Sequence, residues 1–429
     1  MAISTTCSPG KLFQPACSPL NPKSANAAAG KRMSQSRIDT LDVFCNLRGT
    51  RRYVGRLAER NRAILFEYDP DFIGSGIELS PFKLPLQSGV FEDKERVFDG
   101  LPGVFNDSLP DGWGLLLLDR ALRAQGESLH EVSPLQRLSM VGAGGMGVME
   151  YVPSREMEAA LDASTLQLDG LAEEARNILA EGDATLEVVF DLLKLGGSSG
   201  GARPKILADV SDDGSKVVPD GTGGKGFSPW LIKFHAREEG TDQGLIEYVY
   251  SLMAREAGVE MPETRLFPSR TTAGFFGVRR FDRENNQKVH VHTAAGLLHA
   301  SHRHPTLDYE NLLRLTKALT RDVREVEKMV RLMVFNVKSG NRDDHSKNFS
   351  FLLDAAGRWK FAPAYDLTPS VGFNGEHSAM VNGKGKDISD SDLIQAASVV
   401  DIPKKITIEA IQQTEDALSR LDVVKAALL

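Results

Sequence analysis

Hydrophobic residues recur with a helical period in several windows of this chain. In residues 242–258 the apolar side chains are spaced three or four positions apart, which predicts a helix that Asp242 caps and Gly258 ends. Residues 323–339 show the same period over a longer stretch, and residues 186–195 form a further helix-like apolar run. These windows predict three helices between residue 186 and residue 339.

Short apolar runs bounded by polar residues predict strands. Such runs are Ile206–Val210, Leu231–Phe234 and Phe275–Phe281. Two more, Phe349–Leu353 and Arg358–Phe361, flank Asp354-Ala-Ala-Gly357 and are expected to form a hairpin. The polar, glycine-rich stretch between Val210 and Trp230 is predicted to be a mobile surface loop.

An acidic, amide-rich loop directly follows the predicted 323–339 helix. It reads Asn-Arg-Asp-Asp-His-Ser-Lys-Asn from position 341 to 348, and another aspartate, Asp366, follows in Ala-Tyr-Asp-Leu. Phosphoryl transfer requires an acceptor-only group near the attacking hydroxyl and oxygen ligands for Mg²⁺, and protein kinases take these from an Asp, a later Asn and a downstream Asp. Asp343, Asn348 and Asp366 have this order, although polar loops rich in Asp and Asn also occur without such a role.

A single lysine interrupts the apolar run Leu231-Ile-Lys-Phe234. Burying an ammonium group is costly unless it meets an anion. In kinases the equivalent strand lysine meets the nucleotide phosphates and a glutamate of a helix. Glu247, in the predicted 242–258 helix, is a candidate for that glutamate. The alternatives are that Lys233 snorkels to solvent from an edge strand and that Glu247 is solvated.

A glycine- and serine-rich segment reads Gly-Gly-Ser-Ser-Gly-Gly-Ala-Arg-Pro-Lys over residues 196–205. Backbone N–H groups of such a segment can approach phosphate closely because glycine has no side chain. The segment is not a Walker A loop, because no Gly-Lys-Ser/Thr follows, and it lacks the Gly-x-Gly-x-x-Gly of protein kinases. A linker is the alternative, but the flanking helix-like and strand-like runs indicate folded structure on both sides.

Taken together, these residues resemble the HipA family of serine/threonine kinases, the toxin halves of bacterial HipA–HipB toxin–antitoxin modules. The resemblance extends from about residue 40 to the C-terminus. In the second half of the chain it is carried by Ser198–Lys205, Trp230–Phe234, Asp343–Ser350 and Ala362–Leu367. In the first half it is carried by Leu41–Leu47, Phe105–Trp113 and Val141–Gly147.

The resemblance implies an α+β, two-lobed protein-kinase-like fold with a small β-rich N-terminal subdomain and a helical C-terminal lobe. The subdomain would consist mostly of strands and turns, with one helix near residues 112–125 that Asp111-Gly112 begins with a turn and cap. The expected organisation is a tail (1–38), a HipA N-terminal subdomain (39–155), an acidic helical connector (156–185), an ATP-binding lobe (186–292) and a helical catalytic lobe (293–429).

The resemblance also implies transfer of the ATP γ-phosphate to a serine or threonine, with Mg²⁺ as the metal. Asp343 would be the catalytic base, Lys347 would neutralise the transferred group, and His345 would shape the loop. Asn348 and Asp366 would hold Mg²⁺. The nucleotide would be bound by Lys233, Glu247, Gly200, Gly201, Ala202 and Lys205.

Ser198, the first serine of the glycine-rich segment, falls where the family autophosphorylates. A phosphate there would repel the phosphates that the loop is expected to hold. The pair Arg203-Pro204 differs from the best-known member of the family. This difference weakens the expectation of autophosphorylation more than the expectation of catalysis.

Two departures from family and kinase patterns lie at the predicted site. Asp344 follows the predicted base where the family commonly has a small residue, and this second carboxylate is expected either to bind metal or to raise the pKa of its neighbour. Asp366-Leu-Thr stands where protein kinases have Asp-Phe-Gly, so control by a flipping phenylalanine is not expected.

Composition restricts the partners and the compartment. A formal net charge of −7 argues against nucleic-acid binding through the overall field, so DNA contact is expected only through a basic partner, here a HipB-like helix-turn-helix antitoxin, or a local patch. The three cysteines show no metal-binding spacing and fit a reducing, cytoplasmic compartment. No apolar run approaches the ~20 residues of a membrane span, so no membrane association is expected.

Two regions have alternative interpretations. Residues 1–38 carry five Lys/Arg and no Asp/Glu, which predicts a disordered tail, with a transit peptide or a true start at Met33 as alternatives. Histidines crowd residues 290–304, and a structural or surface role is favoured over metal binding because no carboxylate completes a recognisable spacing. They are His290, His292, His299, His302 and His304.

Two other functions remain open. The pattern Asp-x-His-x-x-Asn within 343–348 also resembles the loop of lipid kinases, so a phosphoinositide-type or small-molecule kinase is one alternative. A lipid substrate calls for a basic or apolar membrane-facing surface, and no such run lies outside the tail. The second alternative is a catalytically inactive co-repressor that acts by binding its antitoxin on DNA, and the presence of every catalytic residue type argues against it. The sequence does not specify the protein substrate.

Overall fold

The computed structural model describes residues 37–155, 164–180, 185–196, 200–236, 239–301, 307–354 and 356–428. Ser198, His302, His304 and nearly all of the predicted 1–38 tail lie outside these residues. Residues 38–429 form one compact unit. No helix among the described residues is both long and apolar enough to cross a membrane.

An antiparallel five-stranded sheet forms the first part of the unit, with strand order β4-β3-β2-β1-β5. Along β1 every second residue is buried, because alternate side chains of a strand point to opposite faces of the sheet. The strands are β1 Thr40–Leu47, β2 Thr50–Arg60, β3 Ala63–Tyr68, β4 Val90–Glu92 and β5 Met149–Val152. The helices of this part are α1 Pro70–Gly74, α2 Gly103–Asn106, α3 Gly112–Ala124 and α4 Pro134–Val141.

A second antiparallel sheet has the strand order β7-β6-β8-β10-β9. Its strands are β6 Lys205–Ser211, β7 Val217–Pro219, β8 Phe227–Lys233, β9 Thr264–Phe267 and β10 Phe275–Arg279. The helices of this region are α5 Leu168–Leu179, α6 Leu186–Gly196 and α7 Gln243–Glu256. Trp230, Phe234 and Phe275 are almost fully buried in the core that this sheet shares with α5, α6 and part of α3.

The remaining chain is mainly helical and carries a small three-stranded sheet of order β13-β14-β15. Its strands, with those of a separate hairpin, are β11 Arg283–Glu284, β12 Gln287–Lys288, β13 His290–Thr293, β14 Ser350–Leu353 and β15 Trp359–Phe361. The helices are α8 Ala294–Leu298, α9 Tyr309–Thr320, α10 Val323–Ser339, α11 Asp390–Ser398, α12 Lys404–Leu418 and α13 Leu421–Ala427.

Helix α10 delivers the chain into the acidic loop. The Asp322 carboxylate caps its start by accepting the Arg324 N–H, and most of one face is buried in the main core. At its end Gly340 has φ 72°, a left-handed conformation that glycine adopts without steric cost. A rigid, buried helix thus fixes the position at which Asn341 begins the loop.

Two local predictions are wrong. Residues 210–230 are not simply a surface loop, because β7 pairs with β6 within this stretch and β8 begins at Phe227. Asp242 lies at the start of α7 but does not cap it, because its carboxylate binds the Lys425 ammonium at 2.8 Å instead. The predicted domain boundaries stay a prediction.

Candidate active site

A cleft of about 480 Å³ lies where the first sheet region, the second sheet and the helical region meet. Every predicted site residue that the structure describes lines it, whereas Ser198 lies outside the described residues. The predicted residues in the lining are Gly200, Gly201, Ala202, Lys205, Lys233, Glu247, Asp343, His345, Lys347, Asn348 and Asp366.

Lys233, the last residue of β8, is the centre of an ion-pair network. Its Nζ lies 2.5 Å from Glu247 Oε1 on α7 and 2.6 Å from Asp366 Oδ1, which comes from the other side of the cleft. The Lys233 side chain is 10% exposed, so the snorkelling alternative does not describe it. Burial lowers the pKa of Lys233, but the charges of Asp366 and Glu247 outweigh this effect and raise the pKa above its usual value.

Lys205 lies directly opposite Lys233 in the register of β6 and β8. Its ammonium donates to the Gly200 carbonyl, and a Cβ on Gly201 would meet the Lys205 Nζ, so glycine at 201 makes this close approach possible. Burial, together with the neighbouring Lys233 charge, lowers the pKa of Lys205 to about 8. Two ammonium groups therefore face the cleft beside the glycine-rich segment.

Asp366 has an unusual backbone for a residue other than glycine, with φ 58°. The Asn341 side chain donates to the Asp366 carbonyl at 3.5 Å and to Asn336 Oδ1 at 3.0 Å, which ties this position to the end of α10. Burial raises the pKa of Asp366, but the ammonium groups of Lys233 and Lys205 dominate and hold it well below its usual range. Asp366 is therefore a charged carboxylate in the cleft.

The acidic loop is held by one of its own side chains and by Tyr365. Asn348 Nδ2 donates to the Asp343 carbonyl at 2.7 Å, and the Tyr365 hydroxyl donates to the Lys347 carbonyl at 2.6 Å. His345 Nε2 lies 3.9 Å from Asp343 Oδ1. Partial burial raises the pKa of Asp343, and the negative charges of Asp366 and Asp344 act in the same direction against the opposing effect of His345.

Asp344 is a structural residue. Of its two expected roles, raising the pKa of Asp343 agrees with the direction found for that group, whereas the contacts of the Asp344 carboxylate disfavour metal binding. It is fully buried, and its carboxylate accepts hydrogen bonds from the Tyr309 hydroxyl at 2.8 Å and from the Ser378 N–H at 2.8 Å. His377 Nδ1 lies 2.9 Å from the same carboxylate. These contacts anchor the segment after Asp366 to the loop and use the oxygens that a metal would need.

The pair Asn348 and Asp366 fits Mg²⁺ by its donor chemistry. Because the Asn348 NH₂ group donates to the Asp343 carbonyl, its amide oxygen remains available, and Asp366 supplies a charged carboxylate. Mg²⁺ is commonly held by one or two such oxygen ligands together with substrate phosphates and water. Within the described residues no cluster of three or more His, Cys, Asp or Glu side chains is arranged to hold a metal.

Asp111 is a residue of this cleft that sequence reasoning missed. The Gly201 N–H donates to its Oδ1, and the Lys347 Nζ lies 2.6 Å from its Oδ2. It precedes α3 but makes no side-chain hydrogen bond to the helix, so the expected cap is wrong. Its partners stand far along the chain in positions 201 and 347, and no local pattern connects such distant residues.

The two histidines of β13, and His299 directly after α8, have structural partners, as the favoured interpretation expected. His292 lies between the Asp107 carboxylate, 2.6 Å from Nδ1, and the Ser80 hydroxyl, 3.0 Å from Nε2. His290 Nε2 is 2.8 Å from the Leu79 carbonyl, and His299 Nε2 accepts the Gly103 N–H at 2.9 Å. These side chains bind the first sheet region to the rest of the unit.

Two family models match the chain. Residues 197–421 match the model described as HipA-like C-terminal domain, and residues 41–152 match the model described as HipA N-terminal domain. The C-terminal model covers the chain after α6, which includes the second sheet and the helical region. The N-terminal model covers the first sheet. Together they contain every predicted site residue as well as Asp111.

Similar proteins agree with this match. The Shewanella oneidensis HipA, solved in a complex described as HipA, HipB and its operator DNA, is 18% identical, with 91% of each chain covered and a TM-score of 0.66, which shows a shared fold. Two Sinorhizobium fredii proteins named "Putative kinase Y4dM" and "Putative kinase Y4mE" are 25% and 26% identical over 48% and 58% of this chain.

The extent of these matches differs between the comparisons. The chain spans about half the length of the curated relatives it matches, since 53% of each is covered. The C-terminal family model alone spans more than half of the chain, and the structural match covers 91% of it. The chain has the α+β fold of these proteins and belongs to the HipA family.

Proposed function

We propose that this chain is an ATP- and Mg²⁺-dependent protein serine/threonine kinase of HipA type and the toxin component of a toxin–antitoxin module. The observation that supports this most directly is the contact of Lys233 with both Glu247 and Asp366 in a cleft that also contains Asp343 and Asn348. In kinases, a strand lysine paired with a helix glutamate and a metal-binding aspartate beside the catalytic loop form the nucleotide site.

Nucleotide binding is assigned to the wall formed by the second sheet. Lys233 and Lys205 bind phosphate oxygens. Glu247 keeps the Lys233 ammonium in place when Asp366 binds the metal instead. The backbone N–H groups of residues 200–202 lie near the same phosphates. Leu231, Met261 and Phe276 line the cleft as well and provide an apolar surface for the base.

Phosphoryl transfer is assigned to the acidic loop. The hydroxyl oxygen of the substrate bonds to the γ-phosphorus as the bond from that phosphorus to the β,γ-bridging oxygen breaks, ADP leaves, and the hydroxyl proton passes to Asp343. Its raised pKa suits Asp343 for accepting a proton, and Lys347 offsets negative charge on the transferred group. Asn348 and Asp366 would hold Mg²⁺, which neutralises charge on the nucleotide phosphates when bound.

Label transfer from γ-labelled ATP by the purified full chain tests this function. Asp366→Asn should retain the fold and lose transfer, because it removes the carboxylate proposed to hold the metal. Asp401→Asn is the matched control, because Asp401 is exposed and pairs with Lys317 outside the cleft. Equal transfer by Asp366→Asn and Asp401→Asn would remove the site assignment.

Autophosphorylation at Ser198 is part of the same proposal. Ser198 stands at the start of the segment whose residues 200–202 line the cleft, so a phosphate there would compete with nucleotide for Lys205 and Lys233. Ser198→Ala should remove most of the phosphate that intact-mass spectrometry detects on the chain after incubation with ATP. Unchanged phosphate on that variant would exclude Ser198 as the acceptor.

A HipB-like helix-turn-helix antitoxin is the proposed partner, with DNA contacted through it and the cytoplasm as the site of action. The Shewanella oneidensis protein of the same fold is described in a complex with HipB and operator DNA, and the net charge of −7 of this chain is poorly suited to binding DNA alone. An adjacent gene for a short helix-turn-helix protein would favour this function over the lipid-kinase alternative.

A further inference from the structure

The Asp111 carboxylate joins two loops that approach the cleft from different regions. It comes from the first sheet region, immediately before α3, and its side chain is 19% exposed. Oδ1 accepts the Gly201 N–H of the glycine-rich segment, and Oδ2 lies 2.6 Å from the Nζ of Lys347 in the acidic loop. One carboxylate therefore touches a residue proposed to bind nucleotide and a residue proposed to act on the transferred phosphate.

The residues that follow Asp111 bind the other polar group of Gly201, its carbonyl. The Trp113 N–H donates to the Gly201 carbonyl at 3.0 Å, and the Trp113 side chain is almost fully buried. Gly112 has φ 44°, and a Cβ at this position would lie 2.5 Å from the Gly201 carbonyl oxygen. Both backbone polar groups of Gly201 are thus bound by residues 111–113, so the position of Gly201 depends on the first sheet region.

Capping hydrogen bonds to α3 do not account for this carboxylate. Asp111 occupies the N-cap position, but none of its side-chain hydrogen bonds goes to the helix. Burial raises the pKa of Asp111, but the nearby ammonium of Lys347, the Gly201 N–H and the charge of Lys205 outweigh it and hold the pKa below its usual value. The carboxylate is therefore charged, and its partners in the structure are groups of the cleft.

The Asp111 carboxylate positions Lys347 but also brings a negative charge to the cleft. Its contact with the Lys347 ammonium leaves further N–H donors of that ammonium for phosphate, because an ammonium group has three of them. A triphosphate entering the same cleft brings several negative charges close to the Asp111 carboxylate, and like charges at short range oppose binding.

We propose that Asp111 is a positioning residue of the phosphoryl-transfer site, which holds Gly201 beside the cleft and keeps the Lys347 ammonium directed at the phosphate that is transferred. This inference rests on the proposed kinase function. It makes the first sheet region part of the active site. It also requires the Asp111 charge to weaken the binding of ATP more than the binding of ADP, because ADP lacks the phosphate nearest the acidic loop.

Two substitutions separate the two contacts. Asp111→Asn retains a side-chain oxygen that can accept the Gly201 N–H but removes the charge that pairs with Lys347. Asp111→Ala removes both contacts. Asp119→Asn is the matched control, because Asp119 lies on α3 and pairs with Arg137 at 2.6 Å without lining the cleft.

Hydrogen exchange measured by mass spectrometry reports the first contact without any need for activity. In peptides that span Gly201, Asp111→Ala should exchange about tenfold faster than the wild type, because the charge-assisted hydrogen bond to the Gly201 N–H is lost. Asp111→Asn should remain within about threefold of the wild type, and Asp119→Asn should not differ from it.

Nucleotide affinity and turnover report the second contact. By calorimetry, Asp111→Asn should bind Mg²⁺-ATP several-fold more tightly while its affinity for Mg²⁺-ADP changes less, and its kcat should fall about tenfold because Lys347 is no longer held in place. A simultaneous fall in Kd and kcat is not expected of a residue that only supports the fold, since unfolding would weaken binding and turnover together.

The outcomes are distinguishable from failure of the proposed function. If both Asp111 variants match Asp119→Asn in exchange, ATP affinity and kcat, the inference is overturned. If the wild-type chain binds no ATP and transfers no phosphate, the kinase function fails and with it the role of Lys347. The exchange comparison still decides in that case whether Asp111 holds the glycine-rich segment.

Discussion

At the scale of single residues, two adjacent aspartates of the acidic loop have opposite surroundings. Asp343 lines the cleft, whereas Asp344 is fully buried and binds Tyr309, Ser378 and His377. Leaving a buried polar group without its hydrogen-bond partner lowers the stability of the fold more than doing so at the surface. We therefore expect the first residue to serve chemistry and the second to serve stability.

Alanine at each of these two positions tests that division. Asp344→Ala should lower the free energy of unfolding by about 3 kcal/mol, because it leaves several buried donors without an acceptor. Asp343→Ala should change it by less than about 1 kcal/mol and remove phosphoryl transfer. Urea unfolding followed by circular dichroism measures the first quantity, and the reverse order of stability losses would contradict the assignment.

Lys205 provides a prediction about pH. Because burial and the Lys233 charge lower its pKa to about 8, Lys205 carries its positive charge below that pH and loses it as the pH rises. We expect kcat/KM for ATP to fall as the pH passes about 8, because this parameter reports the free enzyme and an uncharged amine attracts phosphate less. The pH profile of kcat/KM is the measurement.

Lys205→Arg supplies the comparison for that profile. A guanidinium stays charged throughout this range, so the alkaline fall should disappear even if the absolute rate drops. Lys317→Arg, at a half-exposed lysine of α9 that pairs with Asp401, should retain the wild-type profile. An alkaline fall that persists unchanged in Lys205→Arg would exclude Lys205 as its source.

At the scale of elements, the register of β6 and β8 and the end of α10 position the site. The first places Lys205 opposite Lys233, and the second begins the acidic loop at a left-handed glycine, Gly340. A slip of one residue between β6 and β8 would move one of these lysines to the other face of the sheet. The elements therefore determine which side chains share the cleft.

Substitution of Gly340 tests whether the end of α10 requires a left-handed backbone. A Cβ there meets no neighbouring atom, so only the left-handed backbone opposes a side chain. Gly340→Ala should cost about 1 kcal/mol, and Gly340→Asn should cost less, because asparagine tolerates this conformation better. Thermal unfolding of the two variants measures the difference, and equal losses would contradict a conformational origin.

At the scale of the whole molecule, the cleft combines residues from every part of the compact unit. Asp111 comes from the first sheet region, Lys233 from the second sheet, and Asp343 and Asp366 from the helical region. A ligand that contacts all three regions binds the folded chain and not the unfolded chain, so its binding energy adds to the stability of the whole unit.

Ligand-dependent stability tests this arrangement. A non-hydrolysable ATP analogue with Mg²⁺, at about one hundred times its Kd, should stabilise the chain by about 2.7 kcal/mol and raise the unfolding temperature. Lys233→Met should remove most of the shift at the same ligand concentration. A shift of equal size in Lys233→Met would show that the ligand binds elsewhere.

The sequence predicted the parts of this molecule that depend on local pattern. The period of residues 323–339 predicted α10, and the spacing of Asp343 and Asn348 with the later Asp366 indicated residues that do line one cleft. It did not predict the role of Asp111 or the burial of Asp344. Those depend on contacts between distant segments, and side-chain type alone does not distinguish a cleft carboxylate from a buried one.

The most direct test of the central claim is a single-turnover comparison of the wild-type chain with Asp343→Asn. The account predicts that Asp343→Asn binds Mg²⁺-ATP with nearly unchanged affinity and transfers its γ-phosphate at least about a hundredfold more slowly, because only the proton acceptor is lost. Transfer at the wild-type rate by a correctly folded Asp343→Asn chain would contradict it.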